Sequence, residues 1–440
     1  MIYVFYFFAV VLIFLSYKSF RGGINYLNFF KQELAKPKSN YTPFVSIIAP
    51  CRGLDAELQE NLSALFRQDF PVYEIIFVVD DEKDEAVAVI KSLLNRRDAE
   101  TQRKKINRDG QDKQDIKSKI QNLKSKIELS MRLGGSNSVS AKLIIAGKSV
   151  NESQKVHNLR EAVLHIADES KIFVFVDSDA RPAENWLRAL IAPLHDEKIG
   201  AATGYRWFIS KKNNFVSAML AVWNASIASA LGANTKSNFC WGGSMAMRRD
   251  IFEKLEIREK WRGTLSDDYT VTRVLKKAGL PICFVPQALT ASIEDCTFRQ
   301  LLEFTTRQMK ITRVYAPNLW IASFIGSFLF VLVFVWGILI LIFGATGEFS
   351  FWFALAALLI VSVLSIGKAR LRLNAVKLVL KSYRKELDEQ FWTQNTLWVL
   401  SPALFLYNCF AALISRKIIW RGIKYQLNSP ELTSIIREKE

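Results

Sequence analysis

The chain has 440 residues, half of them hydrophobic and 12% aromatic, which is enough for two or three domains and excludes a disordered or low-complexity chain. Its 59 Lys+Arg against 42 Asp+Glu give a formal net charge of +17, which raises nucleic acid or an anionic membrane surface as partner. The excess sits in four strips, residues 18–40, 96–132, 368–388 and 416–440, and the rest is close to neutral; this confinement argues against nucleic acid and for the membrane surface. Five scattered cysteines form no CxxC pair and the three histidines have no zinc-ligand spacing, so a reduced compartment without a zinc site is expected.

In chain order, residues 1–17 carry no charge and lack a basic leader or a small-residue cleavage site, so residues 1–20 read as an uncleaved transmembrane anchor. Lys18, Arg21, Lys31, Lys36 and Lys38 come after it and place its C-terminal side in the cytosol. Residues 41–318 form a mixed block. Val45–Ala49, Glu74–Val79 and Lys171–Val176 are short runs rich in Val, Ile and Phe, as buried parallel strands should be. Helical stretches over 55–68, 83–95, 152–168 and 183–195 alternate with them, which predicts a doubly wound α/β domain. A basic insertion at 96–140 interrupts it. There Ile116, Ile120, Leu123 and Ile127 predict one apolar stripe on a charged helix, either a solvated surface insertion or a membrane- or partner-touching helix.

The C-terminal third is apolar. Residues 319–343 and 349–367 are each close to the ~20 residues that span a bilayer, and only five residues separate them, so 319–367 reads as a transmembrane hairpin. Residues 368–390 mix Leu and Val with Lys and Arg, the pattern of a helix lying in an anionic interface. Residues 391–415 are apolar, with Pro402 near the middle and basic strips on both sides, which favours a re-entrant or interfacial helix pair over a single span. Residues 416–440 read as a basic cytosolic tail.

In doubly wound sheets ligands bind beyond the carboxyl ends of the strands, so the residues just past each strand are candidate ligand groups. Asp177-Ser178-Asp179 comes directly after the third apolar run; two carboxylates at i and i+2 can share a hard cation such as Mg²⁺ or Mn²⁺. Asp80-Asp81 closes the second run and can accept hydrogen bonds from a base or ribose. Asp267 and Asp268 come after Ser266 at the start of an amphipathic stretch, where an acid can cap a helix and also act as a general base. Arg307, Lys310 and Arg313 lie just before the hairpin, suited to a leaving diphosphate or to flanking a membrane span. Gly147-Lys148-Ser149 lacks the first glycine of a P-loop, Gly242-Gly243-Ser244 departs from a nucleophile elbow, and no GxGxxG occurs. An NTPase, a serine hydrolase and a dinucleotide enzyme are thereby disfavoured.

Seven segments in fixed order resemble family 2-type glycosyltransferases, and within them the ceramide glucosyltransferase branch and its bacterial lipid glycosyltransferase relatives. They are VSIIAPCRG (45–53), NLSALFRQDFPVYEIIFVVDDEKDEA (61–86), GKSVNESQKVHNL (147–159), VFVDSDARP (174–182), FCWGGSMAMRRDIF (239–252), LSDDYTVTRVLKKAG (265–279) and RQMKITR (307–313). The resemblance implies a GT-A fold and a UDP-sugar donor, with glucose as the implied sugar. It implies that Asp81 binds the nucleotide beside Asp80, that Lys155 lies near the donor, and that Asp177 and Asp179 hold Mg²⁺ or Mn²⁺. It implies Asp268 as catalytic base with Asp267 the adjacent acid, and Cys240, Trp241, Gly242, Gly243 and Ser244 near the acceptor. Arg307 and Lys310 fall where the family carries (Q/R)-x-x-R-W; here Lys310 and Ile311 keep the charge but lose the planar fork and the aromatic ring. Diphosphate contact from this helix is still expected.

The implied reaction is a single displacement. Asp268 takes the proton of an acceptor hydroxyl, the oxygen attacks the anomeric carbon, and UDP leaves, giving a β-linked product; one carboxylate suffices, unlike the pair of a glycosidase. A lipid acceptor (ceramide-, diacylglycerol- or hopanoid-like) is expected because the hairpin comes directly after the active-site helix. The block would then face the cytosol, at a bacterial inner membrane or a eukaryotic endomembrane. A processive polysaccharide synthase and a non-catalytic membrane adaptor are the competing readings, and the sequence leaves the oligomeric state open.

Overall fold

The computed structural model describes residues 2–96, 138–212 and 214–436. A seven-stranded mixed sheet organises the central block. Its strands are β1 (Val45–Pro50), β2 (Val72–Val79), β3 (Ser138–Ile145), β4 (Ile172–Phe175), β5 (Ala201–Thr203), β7 (Met245–Arg248) and β8 (Ile282–Phe284), in the order β3-β2-β1-β4-β7-β5-β8. β1, β2, β3 and β4 run parallel, and β7 pairs antiparallel with both β4 and β5. β6 (Arg206–Ile209) and β9 (Thr290–Ile293) form a separate parallel pair. This mixed sheet with one reversed strand is the GT-A arrangement that the motif order implies.

The alternation of side chains along each strand builds the core. Ile47, Ile75, Phe77 and Val174 point to one face and join one apolar cluster. Their neighbours Ile48, Ile76, Val78, Phe173 and Phe175 point to the other and join a second. Both faces are covered, so the central strands read as unbroken apolar runs, and each such side chain contributes about 1.5–3 kcal/mol on burial.

The three predicted strands lie within a residue or two of β1, β2 and β4. The predicted helices are found at Leu58–Leu65, 85–96, Gln154–Ala162 and Trp186–Ile191, the last two each continued by a short 3₁₀ turn. One boundary is corrected: Ser138–Ser140, expected to close the insertion, belong to β3, which pairs with β2 from Val72↔Ser138 to Val79↔Ile145. Most of the insertion, including the stripe Ile116–Ile127, lies outside the described residues.

Among the described residues three helices, Ile2–Ala35, Pro317–Phe343 and Phe349–Val379, are long and apolar enough to cross a membrane. Their outer faces carry exposed Val4, Phe7, Phe14, Ile325, Phe328, Val335, Leu359 and Val363, as lipid-facing sides do. The segment after them is a helix pair, Lys381–Val399 and Ser401–Ile414, bent by 59°. The bend falls at Leu400, and Pro402 sits in the first turn of the second helix, where its missing N–H costs nothing. Residues 391–415 thus fall on a bent pair that begins at Lys381, with the bend ahead of the proline rather than at it.

Two C-terminal expectations change. Residues 368–379 do not form a separate interfacial helix. They continue Phe349–Val379 and pack on the N-terminal helix, with Lys368 Nζ 2.8 Å from Ser19 Oγ and the buried Arg372 2.9 Å from Gln394 Oε1. The tail is not an open basic strip either. Residues 417–435 fold into an antiparallel meander of β10 (Lys417–Trp420), β11 (Ile423–Ser429) and β12 (Leu432–Ile435). It buries Ile418, Tyr425 and Leu427 against Leu265, Ile311 and Tyr315.

Candidate active site

The C-terminal ends of β1 and β4 open into a cavity of about 420 Å³. Asp177, Ser178 and Asp179, just past β4, line it, as expected. Arg206, at the start of β6, spans the two carboxylates: its guanidinium is 2.8 Å from Asp179 and 3.4 Å from Asp177. The Trp241 ring lies 4.7 Å from the same guanidinium, so stacking and a two-carboxylate fork hold it together. Burial works against ionisation of Asp177, but Lys155 and Arg206 hold its carboxyl below the usual range. Asp179 Oδ1 is buried without a hydrogen-bond partner. Asp55 accepts from Ser178 Oγ, and burial together with Asp179 pushes its carboxyl up.

Lys155 reaches this cluster from the first turn of Gln154–Ala162. Ser153 caps that helix, accepting from Val156 N–H, and donates to the Leu265 carbonyl at 2.7 Å. The Lys155 ammonium lies 2.7 Å from Asp177 and 3.1 Å from Asp267. Burial opposes its charge, yet Asp177 and Asp267 raise its pKa above the ordinary value. Asp267 and Asp268 open the helix Asp267–Lys277 behind the Ser266 cap. Asp267 is 2% exposed, and burial pushes its carboxyl up to about 6 against the pull of Lys155. Asp268 is half-buried and accepts three hydrogen bonds, from Gly242 N–H at 3.2 Å, Tyr269 N–H at 2.7 Å and Ser266 Oγ. Neither acid lines the cavity; Asp267 stands behind Lys155.

The segment Cys240–Ser244 connects these groups from behind the cavity wall. Trp241 stacks on Arg206, and Gly242 touches the acid pair. Cys240 N–H donates to Thr272 Oγ1 at 2.9 Å, and Gly243 packs under the Trp241 ring. Ser244 is buried, accepting from Trp186 Nε1 at 2.8 Å and donating to the Ala288 carbonyl at 3.2 Å. None of the five lines the cavity. Asp80 and Asp81 end β2 to one side. Asp80 is buried and paired with Arg52, which does line the cavity. Asp81 is on the surface, 3.6 Å from Lys148, and the Lys83 backbone N–H lowers its carboxyl pKa.

The cationic helix divides. In Phe298–Tyr315, Arg307 lines the cavity, flanked by Phe304 at 5.3 Å and Trp420 at 5.7 Å, and burial beside Arg206 and Arg421 lowers its pKa to about 10. Lys310 faces away and donates to the Lys417 carbonyl at 2.8 Å. Arg313 donates to the Ala412 and Leu413 carbonyls at 2.6 and 3.0 Å, closing the end of Ser401–Ile414. Of the three cations expected to meet a diphosphate, Arg307 alone lines the cavity.

Sequence reasoning missed Asp55, Arg206, Glu294 and Arg421, which all line the cavity. Arg206 and Glu294 sit on or beside four-residue strands, too short to show a period. Arg421 lies in the segment read as a tail, although Ile418, Trp420, Ile423, Tyr425 and Leu427 around Arg421-Gly422 carry the alternation and turn of a hairpin. As for a cation site, two aspartates past β4 and an unpartnered buried oxygen on Asp179 fit a hard divalent ion. Among the described residues no cluster of three His, Cys, Asp or Glu side chains could hold a metal.

Comparison with known proteins agrees with the motif order. Short segments are similar to curated ceramide glucosyltransferases: 33% identity over 79 residues to that of Komagataella phaffii, and 37% over 54 residues to ceramide glucosyltransferase 1 of Caenorhabditis elegans. These matches span 17% and 12% of this chain, and only 16% and 12% of the relatives. Among solved structures, a mannosyltransferase from Pyrobaculum calidifontis in complex with GDP-Man and Mn²⁺ aligns at 16% identity and a TM-score of 0.40, covering 92% of this chain and 99% of that one. Glucosyl-3-phosphoglycerate synthase of Mycobacterium tuberculosis aligns at 12% identity and a TM-score of 0.33, covering 62% and 84%. Likeness of that size adds nothing to what the sheet order itself displays. The family described as Glycosyl transferase family 21 matches residues 4–125 and 136–432. With that match over nearly the whole length, the chain belongs to glycosyl transferase family 21.

Proposed function

We propose that the protein is a membrane-bound inverting glycosyltransferase that moves a hexose, glucose by the resemblance, from a UDP-sugar to a lipid hydroxyl on the cytosolic side of its membrane. The observation that carries this reading is the cavity itself. Asp177 and Asp179 stand at a strand end, surrounded by Arg52, Lys155, Arg206, Arg307 and Arg421, and the wall helix Phe298–Tyr315 leads through Ala316 into an apolar helix. About 420 Å³ suits a diphosphate and one sugar ring rather than a lipid.

Asp177 and Asp179 would hold the Mg²⁺ or Mn²⁺, which offsets charge on the leaving diphosphate. Lys155 and Arg307 bind the same phosphates from either side, and Asp80 and Asp81, with Arg52, take the nucleoside end. Asp268 accepts the acceptor proton: the acceptor O–H breaks, the oxygen bonds to the anomeric carbon from the face opposite UDP, and the C–O bond to UDP breaks with its electron pair. Arg206 keeps Asp177 and Asp179 together, and Trp241 fixes Arg206. The segment Cys240–Ser244 would lie under the acceptor hydroxyl, next to Asp268.

Purified protein in nanodiscs, given labelled UDP-sugars and a panel of ceramide, diacylglycerol and hopanoid acceptors, tests the reading by mass spectrometry of products. A β-linked monohexosyl lipid is expected, and Asp268→Asn should lower turnover by about 10²–10⁴ while UDP binding persists. A polymeric product, or full activity in Asp268→Asn, defeats it.

A further inference from the structure

The helix Phe298–Tyr315 lacks two groups that would suit a diphosphate site. Its Lys310 is committed to the Lys417 carbonyl at 2.8 Å, and Ile311 is buried in the cluster beneath the meander. No planar guanidinium or indole comes from that half-turn. Both arrive from elsewhere. The β10–β11 hairpin turns at Arg421-Gly422, and Trp420 and Arg421 line the cavity beside Arg307. We infer that this hairpin tip is part of the donor site, with Arg421 a diphosphate ligand and Trp420 the packing platform of Arg307. The inference rests on the glycosyltransferase reading above.

Three independent observations carry it. The first is charge. Arg421 is paired with Asp55, a carboxylate that accepts from Ser178 Oγ between Asp177 and Asp179. Asp55 thus holds the guanidinium at the cation site, and an arriving phosphate offers it a better, bidentate acceptor. The second is placement. The meander is seated on the catalytic block: the Tyr425 hydroxyl accepts from Gln154 N–H at 3.1 Å, one residue before Lys155. Thr433 N–H donates to the Gly263 carbonyl at 2.8 Å, and Glu431 pairs with Arg273 at 2.9 Å. A β-carbon on Gly263 would stand 2.7 Å from the Glu431 carbonyl, so the two backbones meet directly. The third is the turn. Arg421 takes φ +49° and Gly422 φ +78°, the pattern of a two-residue hairpin turn in which Asn is the favoured first residue. An arginine there is the poorer choice for the turn, and the cavity gives it a use.

The same turn provides the test, because asparagine removes the guanidinium while suiting the backbone. UDP binding with Mn²⁺ is measured by calorimetry on the full chain in nanodiscs, for wild type, Arg421→Asn and Arg421→Lys, with uridine as a phosphate-free competitor. Arg421→Asn should weaken UDP about tenfold to a hundredfold and leave uridine unchanged. Arg421→Lys should recover part of the UDP affinity. The assignment is overturned if Arg421→Asn binds UDP as wild type does, or if it loses UDP and uridine alike with a lower melting temperature, which marks a purely structural tip. If wild type itself binds no UDP, the donor reading falls and this one with it; if only the Arg421 variants behave as wild type, this one falls alone.

Discussion

Gly242→Ala is the sharpest test of the acid cluster. A β-carbon at Gly242 would stand 2.3 Å from Asp267 Oδ2 and 2.8 Å from Lys155 Nζ. Non-bonded carbon and oxygen need well over 3 Å, so the carboxylate must retreat by about 1 Å. It has little room. Asp267 is 2% exposed, sits in the first turn of a capped helix, and spends its other oxygen on Lys155 at 3.1 Å. The Gly242 backbone cannot yield easily either, since its N–H binds Asp268 and the preceding Trp241 N–H binds Thr203 Oγ1 at 3.0 Å. Breaking a buried ion pair outright costs about 3–5 kcal/mol; stretching this one should cost about 2–4 kcal/mol, or roughly 2–4 °C in melting temperature for a chain of this length. A 1 Å misplacement of catalytic groups should also lower turnover about a hundredfold. The control is Gly232→Ala, where an added β-carbon meets nothing within 4 Å. Melting curves and lipid-transfer rates of the two variants, side by side, decide the matter. If Gly242→Ala melts with Gly232→Ala and keeps its rate, the Asp267–Lys155 pair is not the arrangement the working protein uses.

Three further outcomes are expected of the same site. Asp267, pushed up to about 6, binds a proton in the folded chain that the unfolded chain releases near pH 4. Its contribution to stability should therefore fall as pH rises from about 4 to about 6 and level off above; Asp267→Asn should remove that component from thermal melts across pH. Arg206→Lys keeps a charge but loses the fork between Asp177 and Asp179 and the stack on Trp241, so kcat/KM should drop at least about tenfold with the fold intact by circular dichroism. Chelation should abolish transfer, with recovery on adding Mg²⁺ or Mn²⁺. Asp179→Asn should raise the metal concentration for half-recovery about tenfold or more, read from a metal titration of the rate.

How much the sequence disclosed depended on the length and depth of each element. β1, β2 and β4 lie at the centre of the sheet, with their described side chains almost wholly buried, so Val, Ile and Phe dominate and the runs stand out. β3 is an edge strand whose Val139, Ala141 and Leu143 are buried among more polar neighbours, and it comes directly after a Gly/Ser-rich stretch. β5 to β9 have three or four residues each, below any period that can be counted. Asp177, Asp179 and Asp267 were legible because strand ends and a helix start mark them, while Lys155 came only from the resemblance. Arg206 and Arg421 were not, since a cation that completes a site from a distant segment leaves no local signature. The four basic residues at 416, 417, 421 and 424 drew attention to charge and away from the alternating Ile418, Trp420, Ile423 and Tyr425 that make the meander.

The N-terminal helix and the helix Phe349–Val379 have a consequence for how substrate arrives. At 34 and 31 residues they are about 51 and 46 Å long, against a hydrocarbon core of about 30 Å. Some 15–20 Å of each must therefore stand clear of the acyl chains. Those protruding ends are not loose. Tyr26 and Phe30 on one, and Leu373 and Val376 on the other, are buried in the same apolar cluster as β1 and β2. With both helices spanning a bilayer, the pair would work as a stalk that sets the height of the cavity above it. Under the proposed function a lipid acceptor would then rise to meet the cavity, raising its hydroxyl past the headgroups while its tails stay behind.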